Sequence, residues 1–252
     1  MNQYSVKGID LKVFPSRKEM GKEAADEAEE VIYKLLKDKD EINCIFAAAP
    51  SQLDFLNNLM LKEIDWSRIN AFHMDEYIGL KKGDDNSFGT FLSQNLFQHV
   101  PLKNAYYING ASEPSQEIQR YTSILNDSPI DIVFCGIGEN GHIAFNDPPV
   151  DFNDNEIMKK VNLDAVCRWQ QVHDGCFPDI DEVPTQALTL SVPFLCKATY
   201  IFCIVPLEQK ALAVHNALEG AVTGTCPASY LQKSHNVRMY IDQGAASMLS
   251  FV

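Results

Sequence analysis

The sequence predicts an α/β protein built on a mainly parallel, doubly wound sheet, a Rossmann-like three-layer sandwich with a lid excursion. Apolar runs of strand length alternate with amphipathic segments of helix length. The runs barely alternate between apolar and polar residues, the pattern of strands covered on both faces. A length of 252 residues, 46% hydrophobic and 22% charged, suits one such core. The chain therefore reads as one domain over 1–252.

Near the N-terminus a long charged helix spans 16–37, with Ser16 placed as its N-cap. Strands are expected over 43–48, 69–74, 130–136, 200–205 and 237–242, and helices over 52–60, 88–97, 113–125, 208–218 and 245–249. Residues 148–181, rich in Asp, Asn and Pro, read as an excursion over one end of the sheet, and loops of that length are commonly lids.

A net charge of −13 argues against a general nucleic-acid binder. No apolar run nears the roughly 18 residues of a membrane span. The opening MNQYSVKGIDLKVF lacks the basic-then-apolar layout of a signal peptide, so a cytoplasmic protein is expected, with neither nucleic acid nor membrane as partner. The seven cysteines form no C-x-x-C pair and read as buried small hydrophobes, and the six histidines are dispersed. Neither a metal nor another cofactor is expected.

In doubly wound sheets, ligands sit beyond the carboxyl ends of the strands. Three segments lie directly after strands and carry unusual chemistry. In AAAPSQLDF the chain turns through Pro50 into a helix, with Ser51 as cap and Gln52 beside it. Such a turn suits phosphate, although a plain serine cap reads the same way. In INAFHMDEYIGL, Asp75 and Glu76 come just after a strand. A carboxylate shielded there by Phe72, Met74 and Tyr77 has a raised pKa and can act as a base; the plainer alternative is two acids solvating a loop. In DIVFCGIGENGHIAFNDPP, Gly136, Gly138 and Gly141 permit a tight turn, and His142 comes next with Asn140 and Asp147 in reach. The glycine spacing does not fit a dinucleotide fingerprint.

These segments, with SFGTFLSQNLF, EVPTQALTLSVPFL, QKALAV and VTGTCPASYLQ, together resemble the glucosamine-6-phosphate deaminase family from about residue 40 to 240. The sister family, 6-phosphogluconolactonase, typically has Asp-Glu-Arg where this chain has Asp75-Glu76-Tyr77, and Thr-Ala-Ser after the histidine where it has Ile143-Ala144-Phe145.

The resemblance implies a small-molecule sugar phosphate as partner and the conversion of glucosamine 6-phosphate to fructose 6-phosphate and ammonia. His142 would protonate the ring oxygen, and Asp75 would move a proton from carbon 2 to carbon 1. Ser51, Gln52, Lys210 and Arg168 would hold the phosphate, and Gly138 and Gly141 would bring the backbone to the substrate. The family usually has Asp in place of Asn140 and Glu in place of Asp147, and Ala48-Ala49-Pro50-Ser51-Gln52 replaces its glycine-rich phosphate loop. On this reading Asn140 orients the His142 ring through its side-chain carbonyl while Asp147 supplies the charge, so that Asn140→Asp keeps or raises activity. Nothing after Pro149 matches the allosteric pocket of regulated members. Lactone hydrolysis and a catalytically altered binding protein remain alternatives. A homo-oligomer also stays open, since relatives include monomers and hexamers.

Overall fold

The computed structural model describes all residues from Met1 to Val252. The strands are β1 (Asn2–Val6), β2 (Ile9–Phe14), β3 (Ile42–Phe46), β4 (Ile69–His73), β5 (Asp75–Tyr77), β6 (Asn104–Tyr106), β7 (Ile132–Cys135), β8 (Met158–Asn162), β9 (Gln186–Leu190), β10 (Tyr200–Val205) and β11 (Val237–Asp242). The helices are α1 (Arg17–Asp38), α2 (Leu53–Leu59), α3 (Phe88–Leu92), α4 (Pro114–Asn126), α5 (Ala165–His173), α6 (Val192–Leu195) and α7 (Ala211–Leu218).

Eight strands form the central sheet in the order β1-β2-β11-β10-β7-β3-β4-β6, parallel throughout except for the β1–β2 hairpin. Both faces are covered, as the unbroken apolar runs require. In β10, Ile201, Cys203 and Val205 enter one hydrophobic cluster while Phe202 and Ile204 enter the other. The helix α1 buries Met20, Ala24, Ala28, Val31 and Ile32, a stripe of helical period, and the Ser16 hydroxyl caps it by accepting the Glu19 N–H.

The five expected strands all form, within two residues of their bounds. The hairpin was not legible because β1 (NQYSV) is mostly polar. Its turn is made by Lys7 and Gly8, both at positive φ, a weaker signal than Asn-Gly. The expected helix over 245–249 does not form. Those residues make irregular turns in which Ser247 N–H bonds Gly244 O and Leu249 N–H bonds Ala246 O.

A second, antiparallel sheet, β5-β9-β8, stands beside the first. The excursion over 148–181 contributes to it, for it holds β8 and then α5. This small sheet props the segment after β7. Thr189 Oγ1 accepts the Phe145 N–H at 3.1 Å, and Asn146 Nδ2 donates to Leu190 O at 2.8 Å.

The strands β3 and β7 are neighbours in register, but the chain leaves them in opposite directions. From β3 it runs to β4 and β6 at one edge; from β7 it runs to β10 and β11 toward the other. That divergence opens a crevice at their carboxyl ends, where such sheets bind ligands.

Candidate active site

A cleft of about 570 Å³ occupies this crevice. Ser51, Gln52, Asp75, Gly138, His142 and Lys210 line it, so six of the ten expected site residues meet at one place. They come from four separate stretches of chain: the ends of β3, β7 and β10, and the strand β5.

The turn after β3 is a short 3₁₀ turn, Pro50–Gln52, that runs into α2. Ser51 lies inside that turn and does not cap it. Ala49 holds the N-cap position and no side chain bonds there, because Pro50 starts the turn two residues earlier than expected. The Ser51 side chain is therefore free to face the cleft. Gln52 is fixed by donating from Nε2 to Ile204 O at 3.1 Å, while its buried Oε1 has no partner.

Asp75 and Glu76 are adjacent on β5 and so point to opposite faces. Glu76 leaves the site altogether. Its carboxylate accepts the N–H groups of Tyr77, Phe88 and Gly89 and the Ser87 hydroxyl, at the N-terminus of α3. Asp75 faces the cleft and is 5% exposed. Burial first, then the neighbouring Glu76 charge, lifts its carboxyl well above the usual carboxylate range. His73 steadies this strand: Nδ1–H donates to Asp75 O at 2.9 Å and Nε2 accepts the Ile108 N–H at 2.8 Å. Burial holds that ring neutral, with its pKa lowered to about 4.

After β7 the backbone folds on itself. Gly138 N–H donates to His142 O at 2.9 Å, and a Cβ at Gly138 would lie 2.1 Å from His142 Cε1. Gly141 has φ +86° and a Cβ there would press on Cys226, so it shapes the turn without lining the cleft. Ala144, in the cleft wall, sits at φ +50°, a left-handed conformation unusual for a residue with a side chain.

Behind the ring, His142 Nδ1 lies 3.2 Å from Asp147 Oδ1, an ion-pair distance off the axis of a hydrogen bond. Burial pushes the Asp147 carboxyl up. The contact and charge of His142, the Asn140 amide and the Asp164 backbone N–H outweigh that and hold it below the usual range. Asn140 does not orient the ring through its carbonyl as expected. That oxygen accepts the His142 backbone N–H at 3.1 Å, because the turn brings the main chain nearer than the ring. The Cys167 thiol completes this neighbourhood; nitrogen, oxygen and sulfur of His142, Asp147 and Cys167 lie within 4.8 Å of one another, which the linear spacing conceals.

Lys210 ends the 3₁₀ turn Glu208–Lys210 that comes after β10. It is 5% exposed, and its Nζ has no hydrogen-bond partner. Burial lowers its pKa, while the charges of Asp174 and Glu139 oppose that. An unpaired buried ammonium facing a cleft is a receptor for an anion.

Arg168 is not such a receptor. Its guanidinium bonds Ile180 O and, at 2.9 Å, Val183 O, tying down the end of the excursion away from the cleft. The same helix supplies Gln170, Gln171 and Asp174 to the cleft, residues that sequence reasoning missed. The signal was available: with Asp164 as cap, Cys167, Gln170, Gln171 and Asp174 keep the i, i+3, i+4, i+7 spacing of one helical face, and Arg168 falls off it.

A doubly wound α/β fold with a buried carboxylate, an imidazole and an unpaired ammonium around one crevice defines a class of protein: one equipped for acid–base chemistry on a small anionic ligand. Residues 15–240 match the family described as glucosamine-6-phosphate isomerases/6-phosphogluconolactonase, and the chain belongs to that family. It is 34% identical over 229 residues to glucosamine-6-phosphate deaminases of Bacillus thuringiensis (strain Al Hakam) and Bacillus cereus, covering 90% of this chain and 86% of theirs. Among solved structures, a monomeric glucosamine-6-phosphate deaminase superposes with a TM-score of 0.86 at 28% identity, over 94% of this chain and 99% of the other. The 6-phosphogluconolactonase from Trypanosoma brucei shares the fold, with a TM-score of 0.80 at 14% identity over 95% and 98% of the two chains. No helix is long and apolar enough to cross a membrane.

Proposed function

We propose that this chain is an enzyme converting glucosamine 6-phosphate to fructose 6-phosphate and ammonia by deaminating isomerisation. One observation carries the reading: Asp75, His142 and Lys210, distant in sequence, line a single cleft. The deaminases it matches along most of their length supply the substrate.

The phosphate is held by the Lys210 ammonium, with Ser51 as a neutral donor. His142 gives a proton to the ring oxygen while the hydroxyl on carbon 1 passes its proton to water, and the pyranose opens to the aldehyde. Asp75, ionised, takes the proton from carbon 2 while the oxygen on carbon 1 takes a proton back from water, forming an enolamine. Asp75 then returns its proton to carbon 1, leaving a protonated imine at carbon 2. Water adds to the imine and ammonia departs. Nitrogen and oxygen beside the reacting carbons delocalise the developing charge. Residues 148–181 act as the lid of this one domain, with Gln170 and Gln171 on its inner side.

The deciding assay supplies glucosamine 6-phosphate and 6-phosphogluconolactone in parallel. Ammonia release from the first without hydrolysis of the second is expected. Lactone hydrolysis alone would transfer the chain to the other branch of its family, and binding without turnover would make it a sugar-phosphate receptor.

A further inference from the structure

Asn140 sits at a junction that neither the cleft nor the fold by itself explains. Its amide nitrogen donates twice, to Asp147 Oδ1 at 3.0 Å and to Asp164 Oδ2 at 2.9 Å. Asp147 is the carboxylate behind His142. Asp164 is the N-cap of α5, where its other oxygen accepts the Cys167 N–H at 2.6 Å. One amide group, with two N–H bonds, thus satisfies two carboxylates at once.

Two further bonds join the same parts. Asp164 N–H donates to Asp147 Oδ2 at 2.9 Å, and Glu139 N–H donates to Gln170 Oε1 at 2.8 Å. The histidine turn and the helix that carries Gln170 and Gln171 to the cleft are stitched together on both sides of Asn140. A carboxylate at position 140 has no hydrogen to donate. It would set three acceptors within hydrogen-bond distance with like charges facing, and one of them would have to take up a proton or turn away.

We infer that Asn140 and Asp164 are a compensated pair, and that Asp164 is a positioning residue for the reaction. Through the Asn140 amide, the cap of α5 fixes the Asp147–His142 pair and keeps the helix in register with it. Asn140 is then no weakened copy of an acidic relay, and the expectation that Asn140→Asp keeps or raises activity is reversed. The inference rests on the function proposed above for this site.

The test is a double-mutant cycle in the full chain with Asn140→Asp, Asp164→Asn and both together, read by ammonia release and by thermal unfolding. Asn140→Asp is expected to lower kcat by about tenfold or more, with KM changed by less than about threefold, and to lower Tm. Asp164→Asn alone keeps a capping oxygen but sets its amide N–H against the Asn140 amide, donor facing donor, and is expected to lower kcat by about threefold or more. The double variant recovers about fivefold or more over Asn140→Asp, because the amide introduced at 164 donates to the carboxylate introduced at 140. The alkaline limb of the kcat profile moves upward in Asn140→Asp and returns in the double variant, a readout that loss of folding alone does not produce. Should Asn140→Asp fail to fold, recovery of folded protein by the second substitution is the same rescue. A native kcat and Tm in Asn140→Asp, or a double variant no better than it, overturns the pairing. A native chain that releases no ammonia overturns the proposed reaction instead, while the unfolding cycle, which needs no substrate, still decides the pair.

Discussion

Gly138 lies directly against the imidazole of His142, so close that a β-carbon on it would fall 2.1 Å from Cε1 and 2.2 Å from Nε2. The ring holds its position in the cleft because position 138 has no side chain. Gly138→Ala must therefore turn the ring or move the turn. A displacement near 1 Å at a catalytic group costs on the order of 10²-fold in rate. Gly138→Ala is expected to lose about that much kcat, with phosphate binding retained as judged by inhibition with inorganic phosphate. A variant with native kcat would show that the ring has no fixed role.

In the proposed reaction Asp75 serves as a base only when ionised, and its surroundings favour the protonated form. Activity therefore rises with pH as Asp75 loses its proton, along an acid limb lying above the ordinary carboxylate range. Asp75→Asn should abolish exchange of the carbon 2 proton with solvent deuterium at every pH while phosphate still binds. Mass spectrometry of recovered substrate in deuterium oxide measures this, and continued exchange would remove Asp75 from the mechanism.

Lys210 carries an unpaired charge in a buried position, which destabilises the empty protein. Lys210→Met is expected to raise Tm without ligand by about 2–4 °C, the shift that roughly 1 kcal/mol produces at this size. Phosphate should raise the Tm of the native chain and leave the variant unmoved. Thermal scans with and without phosphate give both numbers, and an equal response in the two proteins would relocate the anion site.

His73 links folding to pH. Its folded-state pKa, lowered to about 4, lies below the ordinary value of 6.5. Between those values the unfolded chain binds a proton that the folded chain refuses, so stability is complete above about pH 6.5 and falls as pH drops toward 4. The full loss is roughly 3 kcal/mol. Urea midpoints of the native chain and of His73→Asn at pH 7 and 4.5 separate this contribution, and the variant should have the smaller difference. Equal differences would assign the acid sensitivity to the carboxylates.

The sequence by itself determined the layered fold, the central strands and most of the polar residues that meet in the cleft. These are local properties: apolar runs specify strands covered on both faces, and glycines before a histidine specify a sharp turn at a strand end. Asp75, His142 and Lys210 were legible because parallel strands deliver the segments trailing them to one end of the sheet. Tertiary structure alone decided the pairings across the cleft. Glu76 and Asp75 are one residue apart, yet one is taken up by the N-terminus of α3 and the other faces the cleft. Arg168 and Gln171 lie on one helix, and packing sends the cation to backbone carbonyls and the amide inward. Asn140 meets Asp164 across 24 residues only when α5 docks on the histidine turn. Whether a polar side chain receives substrate or supports its neighbour depends on which groups folding brings within about 3 Å, and spacing along the chain does not encode that distance.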